Sequence, residues 1–186
     1  LMKQGLLVID VQNDYFAGGK MVLKGADEAL RNINLLEAQF SAAKLPIIYI
    51  QHIKHQKNAD FFDKGTSGAE LNAKLKVDDT SIIIVKHFPN SFLETTLAEV
   101  LKNDQIDQLV ICGMMTHMCI RATTPVATDL GYHPILIADA TATKDLSQDG
   151  LIISADQVQA DIISELSLVA DIQTTSQFVR GFNPRT

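Results

Sequence analysis

The feature that most constrains the fold is a series of six short apolar runs that alternate with segments of helical apolar spacing. The runs, each of strand length, are 5–11, 46–50, 81–85, 109–112, 134–138 and 168–172. Helical patterns cover 26–43, 70–75, 92–101, 119–130 and 151–166. Polar loops are predicted at 12–24, 51–69 and 139–149. Alternating strand and helix signals are typical of a parallel sheet covered by helices. We therefore predict an α/β fold with a six-stranded parallel sheet between helices.

The composition favours one folded domain and argues against several classes of partner. The 186 residues suffice for a sizeable core, and 46% of them are hydrophobic. A formal charge of −6 with scattered Lys and Arg argues against binding to nucleic acid or to a membrane surface. There is no apolar run of membrane-spanning length and no signal-peptide pattern. We expect a single domain over 1–186 in the cytoplasm, where Cys112 and Cys119 stay reduced.

The segment 109–130 places a cysteine between a predicted buried strand and a predicted helix. Cys119 falls at or near the first turn of that helix, after Gly113 ends the strand. Backbone N–H groups and the positive end of the helix dipole favour a thiolate at such a position. Cys119 is therefore a candidate nucleophile. The alternative is that it is a small buried apolar residue, as many free cysteines are.

Two further polar residues lie where predicted strands end. Asp10 interrupts the first apolar run, and Lys86 follows the third. Because ligands of such sheets bind beyond the carboxyl ends of the strands, we expect Asp10, Lys86 and Cys119 to meet at one edge. Singly, Asp10 could cap a turn and Lys86 could extend to solvent. Together they would let Asp10 take the proton of a nucleophilic thiol beside a stabilising ammonium group.

Several motifs in sequence order resemble the isochorismatase-like cysteine hydrolase family, which includes isochorismatases, nicotinamidases, N-carbamoylsarcosine amidase and ureidoacrylate amidohydrolases. The motifs are VIDVQNDYF at 8–16, IIYIQH at 47–52, GTSGAEL at 65–71, VKHFPNSF at 85–92, GMMTHMC at 113–119 and DATAT at 139–143. The resemblance covers nearly the whole chain. It implies a three-layer α/β/α sandwich with a Rossmann-like sheet, a catalytic triad of Asp10, Lys86 and Cys119, and a homo-oligomer.

The resemblance also implies how the rest of the site is built. It places a non-proline cis peptide bond at Met114–Met115, and the backbone N–H groups of Met115 and Cys119 would bind the developing oxyanion. We attribute the other phenylalanines to core packing but expect Phe16 to line the pocket. The expected substrate contacts are Asn13, Phe16 and His117.

One branch of the family differs from this chain in its metal ligands. The family's nicotinamidases carry an Asp-x-His and a second His that hold a metal, whereas 49–52 reads YIQH here, without the acid. The remaining pair, His52 and His55, is a weak metal motif and is more typical of a solvated loop. We therefore predict no metal and no cofactor.

These features lead to one functional hypothesis and two alternatives. We expect hydrolysis of the C–N bond of a small amide or carbamoyl-type substrate through a Cys119 thioester. Vinyl ether hydrolysis of the isochorismatase type is the alternative within the family and needs no thioester. A catalytically idle binding or assembly protein on the same fold is the alternative from another class. A nucleotide site is excluded, because neither Gly5 nor 18–20 has the glycine spacing of a phosphate-binding loop.

Overall fold

The computed structural model describes residues 2–184, which form eight strands and five α-helices. The strands are β1 (Gln4–Ile9), β2 (Ile47–His52), β3 (Ile82–Lys86), β4 (Gln108–Met114), β5 (Ile135–Ala142), β6 (Leu146–Gln148), β7 (Leu151–Ile153) and β8 (Asp171–Gln173). The helices are α1 (Ala26–Ala42), α2 (Leu97–Asn103), α3 (Arg121–Asp129), α4 (Ala155–Leu166) and α5 (Thr175–Gly181). Residues 1, 185 and 186 of the predicted domain lie outside the described range.

Six strands form one parallel sheet in the order β3-β2-β1-β4-β5-β8. Leu6 and Val8 of β1 belong to the core on one face, with α1 and α5. Leu7 and Ile9 belong to the core on the other face, with α2, α3 and α4. Burial on both faces explains why β1 is a continuous apolar run instead of an alternating one. The predicted three-layer α/β/α sandwich is confirmed.

The predicted helix at 151–166 begins later than expected, because its first residues form a hairpin. β6 and β7 pair antiparallel, and Asp149 and Gly150 between them both have positive φ. An Asp-Gly pair is a strong signal for such a turn. α4 then begins after Ser154, whose side chain accepts a hydrogen bond from the Gln157 N–H as an N-cap.

Two other predicted helices are displaced or absent. The backbone at Glu70 and Asn72 pairs with the segment 11–13, so 70–75 does not form a helix. Asn90 accepts a bond from the Phe92 N–H, as a capping residue would. However, residues 91–96 form turns, Glu94 has positive φ, and α2 begins only at Leu97.

The chain beyond α4 differs from the prediction in two respects. The last strand lies at Asp171–Gln173 instead of 168–172, and a further helix, α5, follows it. Thr174 and Gln177 form a capping box at the start of α5, a sequence signal that the prediction did not include. Within residues 2–184, no helix combines the length and apolar character that crossing a membrane requires.

Gly113 lets β4 approach β1 directly beneath Asp10. It has φ of +123°, and a Cβ atom there would clash with the Ile9 carbonyl oxygen. We therefore expect Gly113→Ala to lower the free energy of unfolding by about 3 kcal/mol. Gly131→Ala is the matched control, because Gly131 also has positive φ but nothing lies within 4 Å of its added Cβ. That control should cost only about 1 kcal/mol.

Urea denaturation of both variants measures this difference. If both variants lose the same free energy of unfolding, β4 can move away from β1 at Gly113 at little cost.

Candidate active site

Asp10, Lys86 and Cys119 come together at the carboxyl edge of the sheet. Asp10 directly follows β1 with a positive φ, and Lys86 is the last residue of β3. Cys119 lies in a π-helical turn, Thr116–Ile120, between β4 and α3. The peptide bond Met114–Met115, which leads into this turn, is cis. All three side chains are buried.

Lys86 is the centre of this cluster. Its Nζ lies 3.0 Å from Asp10 Oδ2 and 3.2 Å from Cys119 Sγ, and it also donates to the Phe88 carbonyl at 2.9 Å. Neither Asp10 oxygen accepts a hydrogen bond of standard geometry from residues 2–184. The carboxylate is thus held mainly by charge, and its lone pairs remain able to accept a proton.

The buried pair of Asp10 and Lys86 is charged. Burial opposes the charge on Asp10, but the ammonium group of Lys86 outweighs it, so the pKa of Asp10 is below its ordinary value. Burial likewise opposes the charge on Lys86, but Asp10 and Cys119 outweigh it, and the pKa of Lys86 is raised. Removal of either partner would leave the other charge buried without compensation.

The expectation of an acidic sulfur at Cys119 is wrong. Burial, followed by the negative charge of Asp10, raises the pKa of the Cys119 thiol, and Lys86 opposes this only in part. Cys119 lies in the π-helical turn that precedes α3, where the loss of water and the adjacent carboxylate are the largest influences on its pKa. The resting group at this position is therefore a neutral thiol.

His52 is a fourth member of the cluster that the sequence interpretation assigned to a solvated loop. It is the last residue of β2, in register with Lys86, and it is buried. Its Nδ1 lies 3.0 Å from Lys86 Nζ, 3.6 Å from Asp10 Oδ2 and 3.9 Å from Cys119 Sγ. Because an ammonium group can only donate, Nδ1 of His52 is the acceptor in its contact with Lys86.

Gln12 fixes the backbone of His52. Its Nε2 donates to the carbonyls of His52 and Ala69, and its Oε1 accepts from the His52 N–H, each at 2.8 Å. Gln12 thus positions the end of β2 and lies outside the cavity wall. His55, in contrast, is exposed and stacks on His87 with ring centroids 3.7 Å apart.

Three of these residues carry side-chain atoms of the kind that bind metal ions. Ligand atoms of Asp10, His52 and Cys119 all lie within 4.8 Å of one another. However, Lys86 Nζ lies within 3.0–3.2 Å of an atom of each of them. A metal ion would have to displace or neutralise this ammonium group. The three residues therefore fit the side chain of Lys86 better than they fit a metal ion.

A cavity of about 360 Å³ opens onto Cys119. Its wall also contains aromatic, imidazole and thioether groups. They include Tyr15, His52, Phe61, His87, Phe88, Met115 and Met118. Pockets of this size suit small molecules, and here the wall is mostly apolar. Within residues 2–184, the backbone N–H of Met115 has no hydrogen-bond acceptor, so it remains available to a ligand.

The three expected substrate contacts lie elsewhere. Asn13 donates to the Ser67 carbonyl at 2.8 Å, Phe16 packs in the core with α1, and His117 contacts the Thr143 hydroxyl at 2.6 Å. None of them lines the cavity, whereas Phe61 and Phe88 do. Their assignment as substrate contacts thus has no support from the cavity.

Comparison with known proteins assigns the chain to a family. The profile of the Isochorismatase domain matches residues 4–165. YddQ, an uncharacterized isochorismatase family protein of Bacillus subtilis, is 38% identical over 96% of this chain and 100% of its own length. The crystal structure of an isochorismatase-family hydrolase from Oleispira antarctica has a TM-score of 0.92 and 38% identity, covering 96% of this chain and 97% of the other.

A more distant relative has a named activity. The ureidoacrylate amidohydrolase RutB of Variovorax paradoxus is 25% identical over 97% of this chain and 82% of its own length. Profile, sequence and structure agree, and the chain belongs to the isochorismatase family of hydrolases.

Proposed function

We propose that this protein is a cysteine hydrolase that cleaves the C–N bond of a small amide or carbamoyl-type substrate. The observation that carries the proposal is the buried cluster at the base of the cavity, where Lys86 Nζ lies 3.0 Å from Asp10 and 3.2 Å from the Cys119 sulfur. A nucleophile, a base and a fixed cation within contact distance are the parts that covalent acyl transfer requires.

In the first half of the reaction, the amide carbonyl carbon is attacked by Cys119 Sγ while the thiol proton moves to Asp10. Because the pKa of the thiol is raised, this transfer accompanies formation of the C–S bond instead of preceding it. The backbone N–H groups of Met115 and Cys119 bind the oxyanion. Asp10 then gives the same proton to the leaving nitrogen, the C–N bond breaks, and an amine or ammonia departs.

In the second half, water attacks the thioester. Asp10 accepts a proton from that water, the C–S bond breaks, and Asp10 gives the same proton to the sulfur as the carboxylic acid product leaves. Lys86 keeps its own proton throughout, because its pKa is raised, and offsets the charge that passes between Asp10 and Cys119. His52, through its contact with Lys86, positions the ammonium group.

The relatives support amide hydrolysis without identifying the substrate. One is named a ureidoacrylate amidohydrolase, one a nicotinamidase and one a streptothricin hydrolase. Vinyl ether hydrolysis does not need a thioester, and an idle binding protein would not need a base beside its cysteine. The intact cluster therefore favours the cysteine amidohydrolase.

A panel of primary amides, carbamoyl compounds and lactams tests the proposal through release of ammonia or amine. Acid quenching during turnover, followed by intact-mass and peptide analysis, should detect the acyl group on the peptide that contains Cys119. Cys112→Ala is the matched control and should keep both signals, because Cys112 lies in the core of β4. Turnover that persists in Cys119→Ala, with no adduct in the parent protein, would instead support direct attack by water.

A further inference from the structure

Tyr15 places a hydroxyl group in the cavity wall beside the nucleophile. It ends a short turn of 3-10 helix, Asn13–Tyr15, that follows the Asp10 segment. Its ring packs at 4.6 Å from the Phe62 ring and 5.9 Å from the Phe61 ring, measured between centroids. Only 1% of the residue is exposed. The side chain is therefore fixed by packing, and its hydroxyl cannot turn away to bulk water.

The hydroxyl of Tyr15 has no protein partner. Among residues 2–184 it neither donates nor accepts a hydrogen bond, although it lies in the wall of the cavity that contains Cys119. The other fully buried tyrosine behaves differently, since Tyr49 donates to Glu37 Oε2 at 2.5 Å. Buried tyrosine hydroxyls normally find a partner, because an unsatisfied one is costly. Among residues 2–184, the enclosed side-chain atoms without a partner belong to Asp10, so the Tyr15 hydroxyl is reached from the cavity and takes its partner there, from water or from a ligand.

The hydroxyl is a neutral donor under all working conditions. Burial, reinforced by the carboxylates of Asp10 and Asp14, raises the pKa of Tyr15 well above its ordinary value. Phe61, Phe88 and Met115 in the wall offer no strong side-chain acceptor, and the hydroxyl makes no hydrogen bond to the histidines or to Gln56 of the same wall. A ligand group that accepts a hydrogen bond would satisfy this donor, and a purely apolar group would leave it unpaired.

We propose that Tyr15 determines substrate specificity, by donating a hydrogen bond to an acceptor on the part of the substrate that does not react. The preferred substrates are amides that carry a second acceptor, such as a carbonyl oxygen or a ring nitrogen. This inference rests on the proposed hydrolase function, because the same cavity holds the scissile bond. A site built to hydrogen-bond one group discriminates strongly against the analogue that lacks it.

Binding to Cys119→Ala tests the inference without requiring turnover. Two sets of probes of similar shape are suitable: benzamide against the three pyridinecarboxamides, and pentanamide against 4-oxopentanamide. In at least one set, we expect calorimetry to show that the probe with the second acceptor binds about tenfold more tightly than the probe without it. Adding Tyr15→Phe should abolish that preference, because phenylalanine keeps the ring packing and removes only the hydroxyl. Tyr132→Phe is the matched control, since Tyr132 packs on Phe92 away from the cavity, and it should keep the preference.

The outcomes separate this inference from the proposed function. Three results would overturn the role of Tyr15. They are equal binding within both sets, no binding of any probe, and a preference that persists in Tyr15→Phe. A preference that depends on Tyr15, in a protein that hydrolyses no amide, would support the inference while contradicting the amidohydrolase proposal. Some of the probe amides are expected to be hydrolysed. If Tyr15→Phe lowers kcat equally for both members of a set, the hydroxyl acts on the oxyanion instead, which would overturn the inference.

Discussion

Asp10→Asn is expected to slow amide hydrolysis by about 10²–10⁴-fold and, at the same time, to make Cys119 more reactive towards an alkylating agent. The two effects have opposite signs because Asp10 has two roles in the cluster. As the base, it carries the thiol proton to the leaving nitrogen. As a buried negative charge, it raises the pKa of Cys119. Asparagine has nearly the same shape but can do neither.

The change in reactivity follows from the charges that remain. Without the carboxylate, Lys86 still lies 3.2 Å from the sulfur and now favours a thiolate as its counter-ion. A fall of one pKa unit corresponds to about tenfold more thiolate at neutral pH. We therefore expect iodoacetamide to modify Cys119 at least about tenfold faster at pH 7 in Asp10→Asn than in the parent protein. In the parent protein the rate should still be rising at pH 9, because the thiol pKa is raised.

Peptide mass analysis identifies the alkylated residue, with Cys112→Ala as the matched background and circular dichroism as the check on folding. Faster alkylation combined with slower hydrolysis would support both roles of Asp10. Slower alkylation in Asp10→Asn would show that the carboxylate activates the thiol in the resting protein, which contradicts the electrostatics described above.

The sequence was informative about the sheet because burial on both faces leaves a simple pattern. Continuous apolar runs located the strands, and the rule that ligands bind beyond carboxyl ends brought Asp10 and Lys86 to Cys119. The same rule applied to His52, at the end of β2, would have included it in the cluster. We missed it because the pair His52 and His55 was considered only as a metal motif.

The cavity wall was less predictable, since it depends on how loops pass over the sheet. Tyr15 and Phe16 are adjacent, and only the 3-10 turn decides which of them faces Cys119. Asp14, within this turn, stabilises the arrangement through residues farther along the chain, because its carboxylate accepts hydrogen bonds from the N–H groups of Lys20 and Phe62. Contacts of this kind leave no periodic pattern. The pKa of Cys119 was likewise mispredicted, because the prediction included the helix end but could not include the extent of burial.

Lys86→Met is expected to cost about 3–5 kcal/mol of the free energy of unfolding at pH 8, besides abolishing hydrolysis. Methionine fills much the same volume, so the loss comes from Asp10, which would be left ionised and buried without its partner. Asp10→Asn/Lys86→Met removes both charges and should recover most of this loss, to within about 1–2 kcal/mol of the parent protein. The double variant should remain inactive, because the base is also gone.

The destabilisation by Lys86→Met should also shrink as the pH falls from 8 to 5. In the parent protein the lowered pKa of Asp10 gives stability that is present above its unfolded value and is lost only at strongly acidic pH. In the variant, burial is no longer opposed by Lys86, so the folded-state pKa of Asp10 rises above the unfolded value. The folded state then takes up a proton at Asp10 before the unfolded state does, and acid stabilises the variant relative to the parent. The raised pKa of Lys86 gives stability that is fully present below its unfolded value, so it does not titrate in this window.

Urea titrations at pH 8 and pH 5 measure the difference, and the double variant should show no such dependence. A loss of equal size at both pH values would mean that Asp10 is not ionised at the centre of the cluster.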